Sequence, residues 1–302
     1  MPERSASWGL QEGDEIVPGR SAVSLLGGGY RYEAYMAWDD DLAALAVAKV
    51  VRPGLVDDPR ALLGIAAEAA SLDRLAHPML LRAFDLRLDC ERPHLLLELI
   101  HGPRLSTLIR RYGVILEQLL PLALNLCSVL HYLARRETFH LDVKPANIVM
   151  SDTPKLIDLS IAKRADQLGE IESAIGTDAF MAPEQCDPTR FCQIGPMSDI
   201  WGLGATLHNA LTGEEPFGPR RKDAGMLERF PQLHRPPRPL PKHCPTPLAE
   251  IVLSCLEPEP GDRPSAGELR HRLEPLVARL PRPRIGPFRP GWRQLIRELD
   301  VR

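Results

Sequence analysis

The sequence has few aromatic residues and no long apolar run. Phe, Trp and Tyr make up 5% of the 302 residues, which argues against a β-sandwich built on aromatic strands. The most apolar stretch, 119–134, contains Pro121 and several polar residues, and it is shorter than the ~20 apolar residues that span a bilayer. We therefore expect no membrane span. The first residues lack a basic segment followed by an apolar core, so we also expect no signal peptide.

An excess of one charge and the usual zinc motifs are also missing. The 37 Lys and Arg residues nearly balance the 40 Asp and Glu residues, giving a net charge of −3, which argues against nucleic acid as the main partner. C-x-x-C and H-E-x-x-H do not occur, so no zinc site is indicated. The six cysteines are scattered. Their even number leaves disulfides open, but in a chain of this length we favour reduced thiols and a cytoplasmic location.

Hydrophobic periodicity divides the chain into a strand-rich part and a helical part. The pattern predicts a strand over 44–51, a helix over 60–75 and a strand over 94–99. After Gly102-Pro103, helical spacing predicts helices near 105–112, 117–136, 198–212, 247–256 and 266–280. We therefore predict an α+β protein of two lobes. The segments are an N-terminal extension (1–21), a sheet-rich lobe with one helix (22–100), a larger helical lobe (101–280) and a basic tail (281–302).

A glycine-rich segment, Leu26-Gly27-Gly28-Gly29-Tyr30, precedes a strand-like alternation over 33–39. A Rossmann turn would need a third glycine at position 32 and a following helix, and a Walker A loop would need Gly-Lys-Ser/Thr. Neither is present. The segment by itself is compatible both with a plain hairpin turn and with a loop whose backbone N–H groups face phosphate.

Lys49 interrupts the apolar strand predicted over 44–51. A lysine inside such a strand is costly unless it meets an anionic partner. Glu68, flanked by small alanines on the following helix, is the candidate. An outward-facing lysine on a half-exposed strand would explain Lys49 alone equally well.

Four polar residues stand between apolar neighbours in the middle of the chain. Asp142, Lys144 and Asn147 occur in His-Leu-Asp-Val-Lys-Pro-Ala-Asn-Ile-Val, residues 140–149, and Asp158 follows in Lys-Leu-Ile-Asp-Leu-Ser. Two acids and an Asn on converging loops suit Mg²⁺ coordination and proton acceptance from a hydroxyl. Helix caps and turns would explain any one of these residues, but not the set in this order.

In this order, the blocks resemble the eukaryotic-like (Hanks-type) Ser/Thr protein kinases, in particular their bacterial members, over about residues 22–275. Further matching blocks are Gly-Thr (176–177), Met-Ala-Pro-Glu-Gln (181–185), Ser-Asp-Ile-Trp-Gly-Leu-Gly (198–204) and Asp-Arg-Pro-Ser (262–265). The resemblance implies a bilobal kinase fold, with a small antiparallel sheet and a hinge near 99–103. It also implies transfer of the ATP γ-phosphoryl group to Ser or Thr of a protein substrate, with Mg²⁺ or Mn²⁺ as the metal.

The resemblance assigns catalytic roles to particular residues. Lys49, paired with Glu68, would contact the α- and β-phosphates. Asp142 would accept or orient the proton of the substrate hydroxyl, and Lys144 would neutralise the transferring group. The residues implied to hold Mg²⁺ are Asn147 and Asp158.

The resemblance also implies supporting roles and an ATP site. Asp199 would fix the catalytic loop from below, and Glu184 would pair with Arg263 to hold the substrate-binding segment. Glycines 27–29 would cover the phosphates, and the adenine would lie near the hinge. The implied ATP-binding residues are Leu26, Gly27, Gly28, Gly29, Ala34, Ala48, Lys49, Leu97, Glu98, Ile100 and Val149.

Three positions depart from the family pattern. Leu141 stands where regulated members have an Arg that grips an activation-segment phosphate. Ser160 replaces a glycine and should narrow the range of inactive conformations, and Tyr32 replaces the third glycine of the loop, where it could hinder or cover the phosphates. Between Asp158 and Gly176 the only hydroxyls are those of Ser160 and Ser173. We therefore predict activity that does not depend on activation-loop phosphorylation.

These departures keep a second hypothesis open, an ATP-binding pseudokinase acting as a scaffold. Inactive members typically lose the strand Lys, the loop Asp or the metal-binding Asp, and all three are present here. In the tail, Trp292, Leu295, Ile296 and Leu299 form one apolar helical stripe. It is expected either to pack on its own lobe or to bind a regulatory partner.

Overall fold

The computed structural model of the chain describes residues 6–191, 193–221 and 225–281. The predicted tail helix lies outside these ranges. The strands are β1 Glu15–Val17, β2 Arg20–Gly28, β3 Tyr32–Asp39, β4 Ala44–Val51, β5 Ala83–Arg87, β6 His94–Glu98, β7 Thr138–Phe139, β8 Ile148–Val149, β9 Lys155–Leu156 and β10 Lys163–Arg164. The helices are α1 Pro59–Arg74, α2 Leu105–Tyr112, α3 Leu116–Arg135, α4 Pro183–Cys186, α5 Pro188–Phe191, α6 Pro196–Thr212, α7 Met226–Arg229, α8 Thr246–Cys255 and α9 Ala266–Ala278.

The first lobe is a six-stranded antiparallel sheet in the order β1-β2-β3-β4-β6-β5. Because successive side chains of a strand point to opposite faces, the register decides which residues share a face. In the β3–β4 pair, Ala34 lies opposite Lys49 and Tyr35 lies opposite Ala48. Lys49 therefore points to one face, and Ala48 points to the other.

Helix α1 covers the Lys49 face of the sheet. It begins at Pro59, after Asp58, whose side chain accepts a hydrogen bond from the N–H of Arg60 and so caps the first turn. Its buried residues include Ala61, Ile65, Glu68 and Leu72, at the three- and four-residue spacing of a single helical face. Glu68 is therefore directed at the sheet among apolar neighbours.

The second lobe is helical, and its core is formed mainly by α3, α6, α8 and α9. Helix α6 is buried on nearly every side, so its polar residue Asp199 is held among fixed neighbours. Two short strand pairs, β7 with β10 and β8 with β9, lie on this lobe, and they bracket the loop 140–147. An isolated bridge between Leu80 and Leu156 connects the two lobes.

The predicted α+β fold of two lobes is confirmed, with β6 ending at Glu98 and α2 beginning at Leu105. The segment 1–21, which we set apart as an extension, contributes β1 and the first residues of β2 to the sheet. Trp8 and Leu10 cover the sheet face opposite α1. No helix within the described ranges is long and apolar enough to cross a membrane. The described cysteines, namely Cys90, Cys127, Cys186, Cys244 and Cys255, are all free.

Gly204→Ala is expected to destabilise the helical lobe, because a Cβ at this position of α6 would lie 2.5 Å from the Cβ of Cys255 on α8. Overpacking of this kind lowers the free energy of unfolding by about 1–3 kcal/mol. Urea unfolding followed by circular dichroism measures the change.

Gly267→Ala is the matched control, since its added Cβ in α9 would meet no atom nearer than 3.9 Å. We expect its stability to be unchanged or raised by up to about 1 kcal/mol through helix propensity. Equal effects of the two substitutions would contradict the close packing of α6 on α8.

Candidate active site

Lys49 lies between two carboxylates in the cleft between the lobes. Its Nζ donates to Oε2 of Glu68 at 2.6 Å and to Oδ1 of Asp158 at 2.9 Å. The Lys49 side chain is 13% exposed and that of Glu68 is 1% exposed. The predicted partner of Lys49 is therefore correct, and Asp158 is a second partner that comes from the other lobe.

The charges of this group stabilise one another. Burial by itself would lower the pKa of Lys49, but the carboxylates of Glu68 and Asp158 raise it above its ordinary value. Burial works against ionised Asp158 as well, yet the Lys49 ammonium holds the pKa of this carboxyl well below its usual range. Burial raises the pKa of Glu68, which Lys49 opposes. Lys49 and Asp158 are therefore both charged across the neutral range.

The glycine-rich segment is the hairpin between β2 and β3. Gly27 lies opposite Ala34, which in turn lies opposite Lys49, so the hairpin extends over the cleft beside the lysine. The N–H of Gly29 donates to the carbonyl of Tyr32 at 2.9 Å and closes the turn. The segment is therefore a hairpin, and this shape is compatible with both alternatives, the plain turn and the phosphate-facing loop.

In the loop 140–147, two of the predicted polar residues donate hydrogen bonds to the carboxylate of a third, Asp142. Lys144 donates from Nζ to Oδ2 of Asp142 at 2.5 Å, and Asn147 donates from Nδ2 to the same oxygen at 2.9 Å. The hydroxyl of Thr177 donates to Oδ1 of Asp142 at 2.7 Å and accepts from Nζ of Lys144 at 2.6 Å. Asp142, Lys144 and Thr177 thus form one hydrogen-bonded group that faces the cleft.

Asp199 supports this loop from α6. Its carboxylate is 3% exposed and accepts from the backbone N–H of His140 at 2.8 Å and of Leu141 at 2.7 Å. Leu141 has a φ of +61°, in the left-handed region that is strained for a branched side chain. The Asp199 hydrogen bonds offset this strain and hold the backbone immediately before Asp142.

Glu184 and Arg263 form a buried ion pair behind the activation segment. The guanidinium donates to both carboxylate oxygens, at 2.7 and 2.9 Å, and both side chains are at most 1% exposed. Ser198 also donates to Glu184 at 2.7 Å. The predicted pairing of Glu184 with Arg263 is observed, and it fixes α4 against the start of α6.

One predicted ATP-binding residue faces the wrong side of the sheet. Ala48 belongs to the apolar cluster with Tyr35, Val50 and Leu96 on the face opposite Lys49, so its prediction as an adenine contact is wrong. The error is one residue of register, because side chains alternate along a strand. Val47, which lies opposite Leu97, is the neighbour of Ala48 on the same face as Lys49.

The other predicted ATP-binding residues lie around the cleft. Leu97 is a buried side chain near the end of β6, and Val149 in β8 is 8% exposed. Leu26 is 47% exposed on the hairpin. Glu98 and Ile100 lie in the connection between the lobes, where the Glu98 carboxylate accepts from Nζ of Lys155 at 3.3 Å. Their backbone groups at the hinge, rather than the Glu98 side chain, are therefore the candidates for adenine contacts.

Sequence reasoning missed a role for Gln185. Its amide nitrogen donates to the carbonyl oxygens of Leu141 at 2.8 Å and Ile175 at 2.9 Å, so it joins the catalytic loop to the activation segment. The sequence also showed no sign of a role for the Asp178 carboxylate, which accepts two hydrogen bonds, of 3.0 and 3.1 Å, from Arg229 of α7. Gln185 lies within the Met-Ala-Pro-Glu-Gln block, but its partners are backbone carbonyl groups, which no sequence motif marks.

Asn147 and Asp158 fit a hard divalent cation. Asn147 uses its amide nitrogen toward Asp142, which leaves the amide oxygen as an acceptor, and Asp158 is ionised. Carboxylate and amide oxygens are the ligands that Mg²⁺ prefers, together with water and phosphate. In the part of the chain that the structure describes, no group of three or more His, Cys, Asp or Glu side chains is placed to hold a metal.

Comparison with known proteins agrees with this geometry. The family model described as protein kinase domain matches residues 21–273. The chain is 33% identical over 236 residues to the serine/threonine-protein kinase PkaA of Streptomyces coelicolor, covering 74% of this chain and 42% of that protein. It is 31% identical over 272 residues to the probable serine/threonine-protein kinase PkwA of Thermomonospora curvata, covering 87% and 35%.

A plant protein matches as well: mitogen-activated protein kinase kinase kinase 1b of Physcomitrium patens is 31% identical over 204 residues, covering 67% of this chain and 26% of that protein. The chain thus spans between 26% and 42% of the length of these three relatives. It belongs to the protein kinase family, among the Hanks-type Ser/Thr kinases.

Lys49→Met is expected to lower the free energy of unfolding by about 3–5 kcal/mol near pH 8, because it leaves Glu68 buried without a cation. Burial raises the pKa of Glu68 in the folded state. A folded-state pKa above the unfolded value favours folding increasingly as the pH falls through it. The deficit should therefore shrink as the pH is lowered from alkaline to acidic values and Glu68 takes up a proton. Urea titrations across this range measure it.

The double variant Lys49→Met/Glu68→Gln is the control for this pH dependence. Because the buried carboxylate is removed, the double variant should lack the gain in stability that Lys49→Met shows as the pH falls. A deficit of Lys49→Met that is equal at all pH values would show that Glu68 does not depend on Lys49 for its charge.

Proposed function

We propose that this chain is a Ser/Thr protein kinase, which transfers the γ-phosphoryl group of ATP to a Ser or Thr hydroxyl of a protein substrate. The observation that carries the proposal is the hydrogen bonding of the Lys49 ammonium to both Glu68 and Asp158. This contact brings together the sheet lobe, α1 and the helical lobe at one point. A structural lysine would need one partner, whereas a cation shared across the cleft suits phosphate binding.

The residues act mainly by position and charge, as phosphoryl transfer requires. Lys49 would neutralise the α- and β-phosphates under the hairpin of Gly27 and Gly29. Asp142 would orient the substrate hydroxyl and accept its proton as the oxygen forms its bond to the γ-phosphorus. The bond from that phosphorus to the bridging oxygen breaks, and ADP is released. Lys144, beside Asp142, would stabilise the charge on the group in transfer.

Asn147 and Asp158 would hold Mg²⁺, or Mn²⁺, which when bound would neutralise phosphate charge. The chain itself keeps both ligands in place. Asn147 is 3% exposed and is tied to Asp142 by its amide nitrogen. Asp158 is tied to Lys49 and has a φ of +71°, a strained conformation of the kind found at functional sites.

The Ser/Thr preference is supported by the contact between Lys144 and Thr177, which places the end of the activation segment against Asp142. The names of the relatives agree with this preference. The cytoplasmic location and the regulatory partner for the tail stay predictions.

We also propose that activity does not require phosphorylation of the activation segment. Leu141 offers no cation to a phosphate. Instead, the side-chain amide of Gln185 donates hydrogen bonds to the backbone carbonyls of Leu141 and Ile175. Thr177 donates a hydrogen bond to Asp142, and Asp178 accepts one from Arg229. Side chains already present therefore make the contacts that would order the segment.

Label transfer from γ-labelled ATP tests the activity, first with Mg²⁺ and then with Mn²⁺. Autophosphorylation and a generic basic protein serve as acceptors. Asp142→Asn and Asp158→Asn should each lose at least about 100-fold in rate, because they remove the proton acceptor and a charged metal ligand. Asp89→Asn, on an exposed turn away from the cleft, is the matched control and should keep the wild-type rate.

The result that contradicts the proposal is a wild-type chain without transfer in either metal. If ATP still raises its melting temperature, the chain is a nucleotide-binding scaffold, the pseudokinase alternative. Label in the wild type that persists in both Asp variants would point to a contaminating kinase.

Ser173→Ala and phosphatase-treated wild type should both keep activity within about twofold of untreated enzyme, as expected for an exposed position without partners in the reaction. Ser173 is exposed and follows Glu170 and Glu172, where a phosphate would meet like charge. Thr177→Ala is the comparison that should lose activity, because Thr177 contacts Asp142. A large loss of activity in Ser173→Ala would contradict the hypothesis of phosphorylation-independent activity.

A further inference from the structure

Tyr32 stands where the kinase pattern has the third glycine of the loop, and its side chain turns into the protein. It begins β3 and lies opposite Val51, two residues before Ala34. Residues two apart on a strand share a face. Tyr32 therefore points to the same face as Ala34 and Lys49, toward α1, rather than out over the tip of the hairpin.

Two contacts hold the ring in this position. The hydroxyl donates to the backbone carbonyl of Ala61, in the first turn of α1, at 2.8 Å. The ring centroid lies 5.0 Å from Nζ of Lys49, within the range of a cation–π contact. Burial raises the pKa of Tyr32, so the hydroxyl keeps the proton that it donates to Ala61.

Helix α1 has a glycine at the point of contact. Gly64 is three residues after Ala61 and four before Glu68, so the three residues share one helical face. A Cβ at position 64 would lie 2.5 Å from the hydroxyl oxygen of Tyr32 and 3.8 Å from Cζ of its ring. Glycine weakens a helix interior relative to alanine, and the space that Tyr32 occupies gives the reason for it here.

A second side chain, from the residue after β4, also holds the hairpin. Arg52, which follows β4, donates from Nε to the carbonyl of Gly29 at 2.8 Å and pairs with Glu33 at 3.0 Å. The contacts of Tyr32 and Arg52 fix the turn at both sides of its base. A loop that in the family pattern is free through its glycines is here tied to α1.

We infer that Tyr32 is a positioning residue that joins the glycine-rich hairpin to α1 and thereby keeps Glu68 at hydrogen-bonding distance from Lys49. The inference rests on the proposed kinase activity for its functional consequence. The contact itself does not depend on that activity. Because α1 is fixed by its own sheet lobe through Tyr32, the Lys49–Glu68 pair needs no phosphate on the activation segment to form.

A double-mutant cycle on Tyr32 and Gly64 tests this inference. Tyr32→Phe removes the hydroxyl and should lower kcat by about two- to tenfold, the range that one hydrogen bond supplies. Gly64→Ala drives a methyl group into the hydroxyl, and its kcat should fall further, by about tenfold or more. In Tyr32→Phe/Gly64→Ala the nearest remaining ring atom is 3.8 Å away, so kcat should return to the level of Tyr32→Phe.

Two controls accompany the cycle. Tyr112→Phe makes the same chemical change on a side chain that is 78% exposed, and Leu63→Ala changes the position beside Gly64, which is 69% exposed. Both should keep the wild-type kcat and KM for ATP. The unfolding free energy of every variant is measured in parallel, so that loss of folded protein is separated from loss of turnover.

Rescue of kcat in the double variant supports the inference. Equal losses in Gly64→Ala and the double variant would overturn it, as would a cycle in which stability changes and kcat does not. If the wild-type chain transfers no phosphate, the proposed function fails. The Kd for ATP in the same four proteins then decides the inference: rescue in the double variant supports it, and additive effects contradict it.

Discussion

The ion pairs of Lys49 with Glu68 and Asp158 are the contact on which the site depends. Each residue comes from a different element: Lys49 from β4, Glu68 from α1 and Asp158 from the loop after β9. A buried charge without a partner is strongly unfavourable, so the three side chains hold three parts of the fold at fixed distances. The same ammonium then faces the cleft where a phosphate would bind. One set of charges therefore serves both the lobe arrangement and the proposed chemistry.

The catalytic loop depends on a different device, strained backbone that is held by buried polar groups. Leu141 has a positive φ, at a cost of about 1–3 kcal/mol. The carboxylate of Asp199 binds the N–H groups of His140 and Leu141, and α6 keeps that carboxylate in place because it is buried on nearly every side. The packing of the helical lobe thus offsets the strain and directs Asp142 and its neighbours at the cleft.

One neutral and one charged side chain connect the activation segment to the rest of the lobe. Gln185 bridges it to Leu141 by neutral hydrogen bonds, while Arg229 holds Asp178 by charge-assisted ones. Thr177 then reaches Asp142 directly. In the sheet lobe, the hydrogen bond from Tyr32 to Ala61 connects the hairpin to α1. The proposed independence from activation-segment phosphorylation rests on these contacts.

Periodicity in the sequence determined β4, α1, β6 and the long helices, because burial of one face repeats at short range. The order of the motifs predicted Lys49, Asp142, Asn147 and Asp158 as candidate site residues. Only the tertiary structure decided the direction of side chains: Ala48, one residue from Lys49, faces the opposite side of the sheet, and Tyr32 turns inward onto Gly64. The partners of Gln185 and Asp178 were likewise not predicted, because neither periodicity nor a motif marks these contacts. Local pattern records which residues are buried, whereas register and packing decide what they touch.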